Sequence, residues 1–354
     1  MAYTPIDKST DYFNTSLWTG NAAEAGDGST QAITGVGFQP DWTWIKKRSA
    51  TGNHHLVDVV RGITKELRSN LTNAEADDNQ IITAYGSDGF TLGSSGSGNL
   101  QSATYVGWTW KAGTSFTNDA SSTSVGSIDS AGSVSTTAGF SIMSYTGTGS
   151  AATFAHGLGA VPKMIIFKNR TAAGSQWDTY HHSVGTAHRL YLDSTSAKSS
   201  ATNFINDTAP TSSVISVGDA THTNGDGNSH IAYCFAEVQG FSKFGEYKGN
   251  NANDGPMVHT GFKPAFMMIK RTDGADDWKM VTQKVEVHNT MNSSVKANTN
   301  AAEAAESDHA IDLLSNGFKL RENNAAFNAA GTYIYMAFAS NPFVTSTGIP
   351  TTAL

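Results

Sequence analysis

A single cysteine in 354 residues rules out an internal disulfide. That residue, Cys234, sits in the apolar run IAYCFA and reads as a small buried hydrophobe. Charge is also scarce: charged residues make up 15%, and the formal net charge of −7 gives no basic field, which argues against nucleic-acid binding. No apolar run approaches the length that crosses a bilayer. The opening residues, MAYTPIDKST, lack the basic leader and apolar core of a secretory signal. The expectation is a chain made in a cytoplasm, not inserted in a membrane, that reaches the outside by another route such as cell lysis.

Signatures of chemistry are missing as well. There is no Gly-x-Ser-x-Gly elbow, phosphate loop or dinucleotide fingerprint, and Gly93–Gly98 (GSSGSG) reads as a loop with no helix behind it. His54-His55 and His181-His182 are adjacent pairs, and neighbours on a strand face opposite ways. Even with His188 near the second pair, no zinc-type spacing results. Asn224–Asn228 (NGDGN) has the look of a calcium loop but lacks the late bidentate carboxylate, so a hairpin loop is the better reading. Glu75, Asp77 and Asp78, and Asp276-Asp277, are glycosidase candidates by residue type alone, and none recurs along the chain. The expectation is therefore no catalytic, cofactor-binding or metal-ligating residues, no cofactor and no enzyme.

What is present is repetition. Gly37–Lys46 (GFQPDWTWIK), Gly159–Lys168 (GAVPKMIIFK) and Gly261–Lys270 (GFKPAFMMIK) each place Gly three residues before Pro and Lys six after it. Gly-x-x-Pro is turn chemistry, and the short apolar run behind it suits a buried strand. An aromatic-x-Gly turn opens each unit at Trp18-Thr19-Gly20, Tyr145-Thr146-Gly147 and Tyr247-Lys248-Gly249. From that Gly to the Pro is 15 residues in the second and third units and 20 in the first. Late in each unit a short strand starts at Phe90, Ile215 or Phe318, and 15 residues on a closing strand begins at Tyr105, His230 or Tyr333. The sixth position of each closing strand is aromatic: Trp110, Phe235, Phe338.

These landmarks predict an all-β protein of three tandem β-sandwich, jelly-roll-like modules of about 100 residues, each with six or seven short strands. Residues 1–10 read as an N-terminal tail and 11–113 as module 1. A Ser/Thr/Gly-rich linker spans 114–137, followed by module 2 over 138–238, module 3 over 239–341 and a C-terminal tail over 342–354. Modules 2 and 3 abut and are expected to pack together, with module 1 the more separable. A row and a ring, in which the three modules form a pseudo-trimer, are both open. Trp42 and Trp44, like Trp108 and Trp110, share a strand face and read as core or interface anchors before a sugar-stacking platform. The lysines at 46, 168 and 270 read as solubilising strand-edge residues.

TGVGFQPDWTWIKKR, HHLVDVVRG, SDGFTLGS and YVGWTWKAG in module 1 together resemble a family. So do HGLGAVPKMIIFKNR and HIAYCFAEVQGFSKFGEYKGN in module 2, and GPMVHTGFKPAFMMIKRTD and YIYMAFASNPF in module 3. The family is that of tailed-bacteriophage, often marine-phage, structural and tail-fibre-like virion proteins built of repeated β modules. The resemblance implies a virion component and supplies no catalytic residues. The expected function is a non-enzymatic structural protein of the virion, a tail fibre or appendage contributing to host-surface attachment. A head decoration or capsid spike is the alternative, a tail-borne polysaccharide depolymerase the rival from another class, and a cellular lectin a weaker one. Expected partners are other copies of the chain in a trimer, phage tail or capsid proteins, and a host-surface glycan or outer-membrane protein.

Overall fold

The computed structural model describes residues 3–305 and 309–351; the outer ends of both expected tails and residues 306–308 of the last Ala/Glu-rich loop lie outside the described residues. The fold is all-β, with several antiparallel sheets. Among the described residues no sheet closes or curls over, so the expected jelly-roll topology is not seen.

Each repeat builds one large sheet on the same plan. An opening strand (Phe13–Thr19, Phe140–Thr146, Ser242–Gly249) pairs with the closing strand (Thr104–Trp110, Ser229–Ala236, Gly331–Pro342). The closing strand pairs on its other side with the strand of the Gly-x-x-Pro unit (Trp42–Lys47, Pro162–Asn169, Phe262–Arg271). A fourth strand follows at His54–Asp58, Asp178–His181 or Lys279–Thr282. A small sheet, begun by Gln31–Ile33, Ala152–Ala155 or Met257–His259, shares an apolar cluster with each large one, Ile33 with Ile45, Phe154 with Ile165 and Val258 with Met267. The turns into the Gly-x-x-Pro strands use φ of +92° at Gly37, +67° at Gly159 and +85° at Gly261, a region that only glycine enters cheaply.

The central strands are buried on both faces, which is why they read as unbroken apolar runs. In MIIF, Ile165 and Phe167 pack into module 2's own cluster, while Met164 and Ile166 point the other way into a cluster shared by the whole chain. The closing strands divide likewise: Ile231, Tyr233 and Phe235 face the shared cluster, and Ala232, Cys234 and Ala236 the module's own. Trp42, Trp44, Trp108 and Trp110 all lie in the shared cluster with at most 1% exposure, so they are core and no stacking platform.

The shared cluster makes the modules a ring. It draws on all three large sheets, including module 1, which is not the separable unit expected. The tail and linker are built in too. Ile6 joins the shared cluster, and the Tyr3 hydroxyl donates to Gly261 O at 2.7 Å. Residues 114–137 contain a β-hairpin, Thr114–Asn118 with Ser130–Ser135, whose second strand pairs with the opening strand of module 2.

Candidate functional site

At the centre of the ring the sixth residues of the three closing strands meet. Ring centroids are 6.5 Å apart for Trp110 and Phe235, 5.8 Å for Trp110 and Phe338, and 6.2 Å for Phe235 and Phe338. Edge-on contacts at such distances add to the apolar burial. Phe13, Trp42, Phe140 and Phe266 pack round this trio. The same position in three repeats thus forms one pseudo-threefold axis.

Each module then grips the next through the same atoms. Glu303 N donates to Arg48 O and Gly52 N to Asn300 O, both at 2.9 Å, joining module 3 to module 1. Glu75 N to Arg170 O (2.8 Å) and Gly174 N to Thr72 O (2.9 Å) join module 1 to module 2. Lys198 N to Thr272 O and Asp276 N to Thr195 O, both 2.8 Å, join module 2 to module 3. Two junctions add a bidentate pair, Arg48 on Glu303 and Arg170 on Glu75, the stronger geometry for an Arg–carboxylate bond.

The residue that opens the fourth strand region reaches across each junction as well. Trp177 Nε1 donates to Arg68 O at 3.0 Å, and Trp278 Nε1 to Tyr191 O at 2.8 Å. His54 takes this place in module 1. Trp44 Nε1 donates to its Nδ1, which leaves Nε2 as the donor to Lys296 O at 3.0 Å. Burial holds this imidazole well below the ordinary histidine range, so it is neutral, as that bonding requires.

The three recurrent lysines are buried at these junctions and are not edge residues. Lys270 Nζ donates to Thr195 O of module 2 (2.9 Å) and to Asp276 O (2.6 Å). Lys46 Nζ donates to Lys47 O at 2.8 Å and reaches Asn300 O of module 3. Lys168 Nζ bonds Ser175 O and lies 5.5 Å from the Trp177 ring centroid. Burial is the main cause that draws each ammonium down to about 8.

The other sequence candidates are scattered. Glu75 bridges Arg61 and Arg170, Asp77 pairs with Lys65, and Asp78 receives Gln80 N. Asp277 pairs with Lys296 and receives Asn298 Nδ2. His55 pairs with buried Glu66, His181 faces Tyr335 O, and His182 bonds Phe244 O. Asp77 and Asp78, with Thr64 and Asn79, line a cleft of about 510 Å³. Among the described residues no three His, Cys, Asp or Glu side chains converge as a metal site, and no helix is long and apolar enough to cross a membrane.

Asn224 of the calcium-like stretch is a buried clamp. Its Oδ1 receives Thr148 N at 2.9 Å and its Nδ2 donates to Gly218 O at 2.6 Å. Asn99 repeats this with Asn21 N and Gly93 O, and Asn328 with Asn250 N and Glu322 O. The aromatic-x-Gly turn packs on this clamp. A Cβ on Gly20, Gly147 or Gly249 would lie 2.2, 2.3 or 2.1 Å from a carbonyl oxygen, so only glycine fits. Sequence reasoning read Asn224 as part of a hairpin loop and gave none of the three asparagines this role. Their recurrence just ahead of each closing strand is the signal that marks them.

On the rim, a cleft of about 500 Å³ opens between modules 1 and 3. Ser16, Leu17 and Trp18 line one wall, Gln31–Gly35 the other, and Lys284 and Val287 the end. Val287 is 69% exposed and Leu17 37%.

Residues 8–342 match a family model described as Domain of unknown function (DUF7483). No curated protein and no solved structure matches the chain.

Proposed function

Because the chain belongs to the DUF7483 family, whose description names no activity, we propose from its own geometry that it is a non-enzymatic structural protein of a tailed-phage virion, a tail fibre or appendage contributing to host-surface attachment. The observation that carries this reading is the closed ring. Three repeats spend their aromatic residues, buried lysines and junction arginines on holding one another, which suits a part that supplies rigid shape. Each module is read as a small two-sheet sandwich whose outer loops face the rim. The proposed partners are tail or capsid proteins and a host-surface glycan or outer-membrane protein. One chain already closes a threefold body, so the proposed trimer would gather three such bodies and not build one. The place of the protein is proposed to be the virion.

Antibody labelling of intact particles, imaged by electron microscopy, tests this. Label on the tail is expected, with purified protein adsorbing to host cells and slowing infection. Label over the head would make the chain a decoration protein, and absence of label from every particle would remove the virion reading.

A further inference from the structure

The three modules treat one corresponding groove in three different ways. It lies between the opening strand, at the edge of the large sheet's original four strands, and the first strand of the small sheet. In module 2 the chain fills it with its own residues 126–135. Ser130–Ser135 pairs antiparallel with Phe140–Tyr145, Ser127 N and Ile128 N donate to Thr153 O at 2.7 and 3.1 Å, and Ser130 Oγ donates to Ala155 O at 2.8 Å. Ile128 and Val134 pack against the module's core.

In module 3 the same edge is guarded by charge: the exposed residues beside Tyr247 are Glu246 and Lys248. Charges on an open edge discourage strand addition.

Module 1 has neither device; two side chains span its groove, Gln31 Nε2 donating to Thr19 O at 3.0 Å and Asn14 Nδ2 to Val36 O at 2.9 Å, and the stretch at Leu17 lies open between them. Its exposed positions beside Trp18 are Leu17 and Thr19. Tyr12 O and Gly20 N bond toward the closing strand, so by alternation the N–H and C=O of Leu17 point away from it into the cleft. Ile33, which corresponds to Phe154, stands on the opposite wall. Among the described residues Lys284 is the one charged side chain lining the cleft, its Nζ donating to Asn14 Oδ1 at 3.0 Å.

We infer that the cleft between Ser16–Thr19 and Gln31–Ile33 is a docking site for an extended strand of a partner polypeptide, added by β-augmentation. The occupant resembles the module 2 filler: small and hydroxyl residues, a β-branched anchor for the apolar wall, and an acidic side chain for Lys284, as Asp129 lies within the filler. The filler of a second copy is not the occupant, since it is already paired to its own module 2.

The test uses the full chain and a synthetic peptide of residues 126–137, read by amide hydrogen exchange. Exchange is expected to slow at least tenfold at Leu17, Thr19 and Ala32, which corresponds to the filler-bonded Thr153 of module 2, and to stay unchanged at Glu246. Leu17→Pro removes the outward donor while sparing the ladder to the closing strand, and Leu17→Lys copies the charge guard of module 3. Either variant is expected to abolish the slowing, and Leu17→Lys keeps the test open if the proline variant does not fold. No slowing at millimolar peptide, or equal slowing in Leu17→Lys, would overturn the inference.

Discussion

Lys46, Lys168 and Lys270 bury three ammonium groups where the chain could have placed apolar ones. Unfolded lysine keeps its proton to about pH 10.4, whereas each of these releases it near 8. Between those values the unfolded chain binds more protons, so stability rises with pH there; below about 8 both states are protonated and the cost is constant. The raised pKa of the single Cys234 thiol, about 12, works the other way, as do the buried tyrosines above pH 10, with Tyr333 at about 12. Three lysines outweigh the thiol, so the urea midpoint is expected to rise from pH 8 to just under 10. The triple variant Lys46→Met, Lys168→Met, Lys270→Met should flatten that rise. In acid, His156 and His230 stay neutral to about 4 and His181 to about 3 because they are buried, while unfolded histidine charges near 6.5. Stability should therefore fall as pH drops from 6.5 to 4. At the axis, Phe338→Ala is expected to cost about 3–5 kcal/mol, read from the same urea midpoints. Trp110→Phe should cost less, because modules 2 and 3 already use Phe there and Trp110 Nε1 meets no acceptor among the described residues.

At the scale of elements, the clamp asparagines stand apart from the other surface-type residues. Asn99, Asn224 and Asn328 each tie the turn before a closing strand to the turn after an opening one. Removing any one leaves the carbonyl of Gly93, Gly218 or Glu322 without its amide donor, so Asn→Ala is expected to cost about 1–3 kcal/mol at each of the three sites. Similar losses at all three would mark them as equivalent parts; thermal melts of the single variants measure this. Much of the element plan was legible. Constant offsets from Phe90, Ile215 and Phe318 to the closing strands located them, and two-sided burial explains why MIIF and FMMI look alike. What stayed hidden was anything whose partner comes from another module. Lys270 looks like an edge residue until Thr195 is brought beside it, and Glu75 looks solvated until Arg170 arrives. The hairpin in 114–137 was hidden for a different reason: a Ser/Gly strand carries almost no apolar alternation, and its register is set by the strand it joins.

For the whole molecule, the ring means that no module owns all of its core. The aromatic trio takes one residue from each closing strand, and every junction closes head to tail. A chain cut to residues 114–354, which keeps the hairpin that completes module 2, would expose the faces of modules 2 and 3 that module 1 covers. It is expected to bind a hydrophobic dye and melt well below the full chain. The most direct measurement is scanning calorimetry of the intact protein. A closed ring predicts one transition whose calorimetric and van't Hoff enthalpies agree. Resolved transitions, or a calorimetric enthalpy near three times the van't Hoff value, would show modules unfolding independently and contradict the shared core.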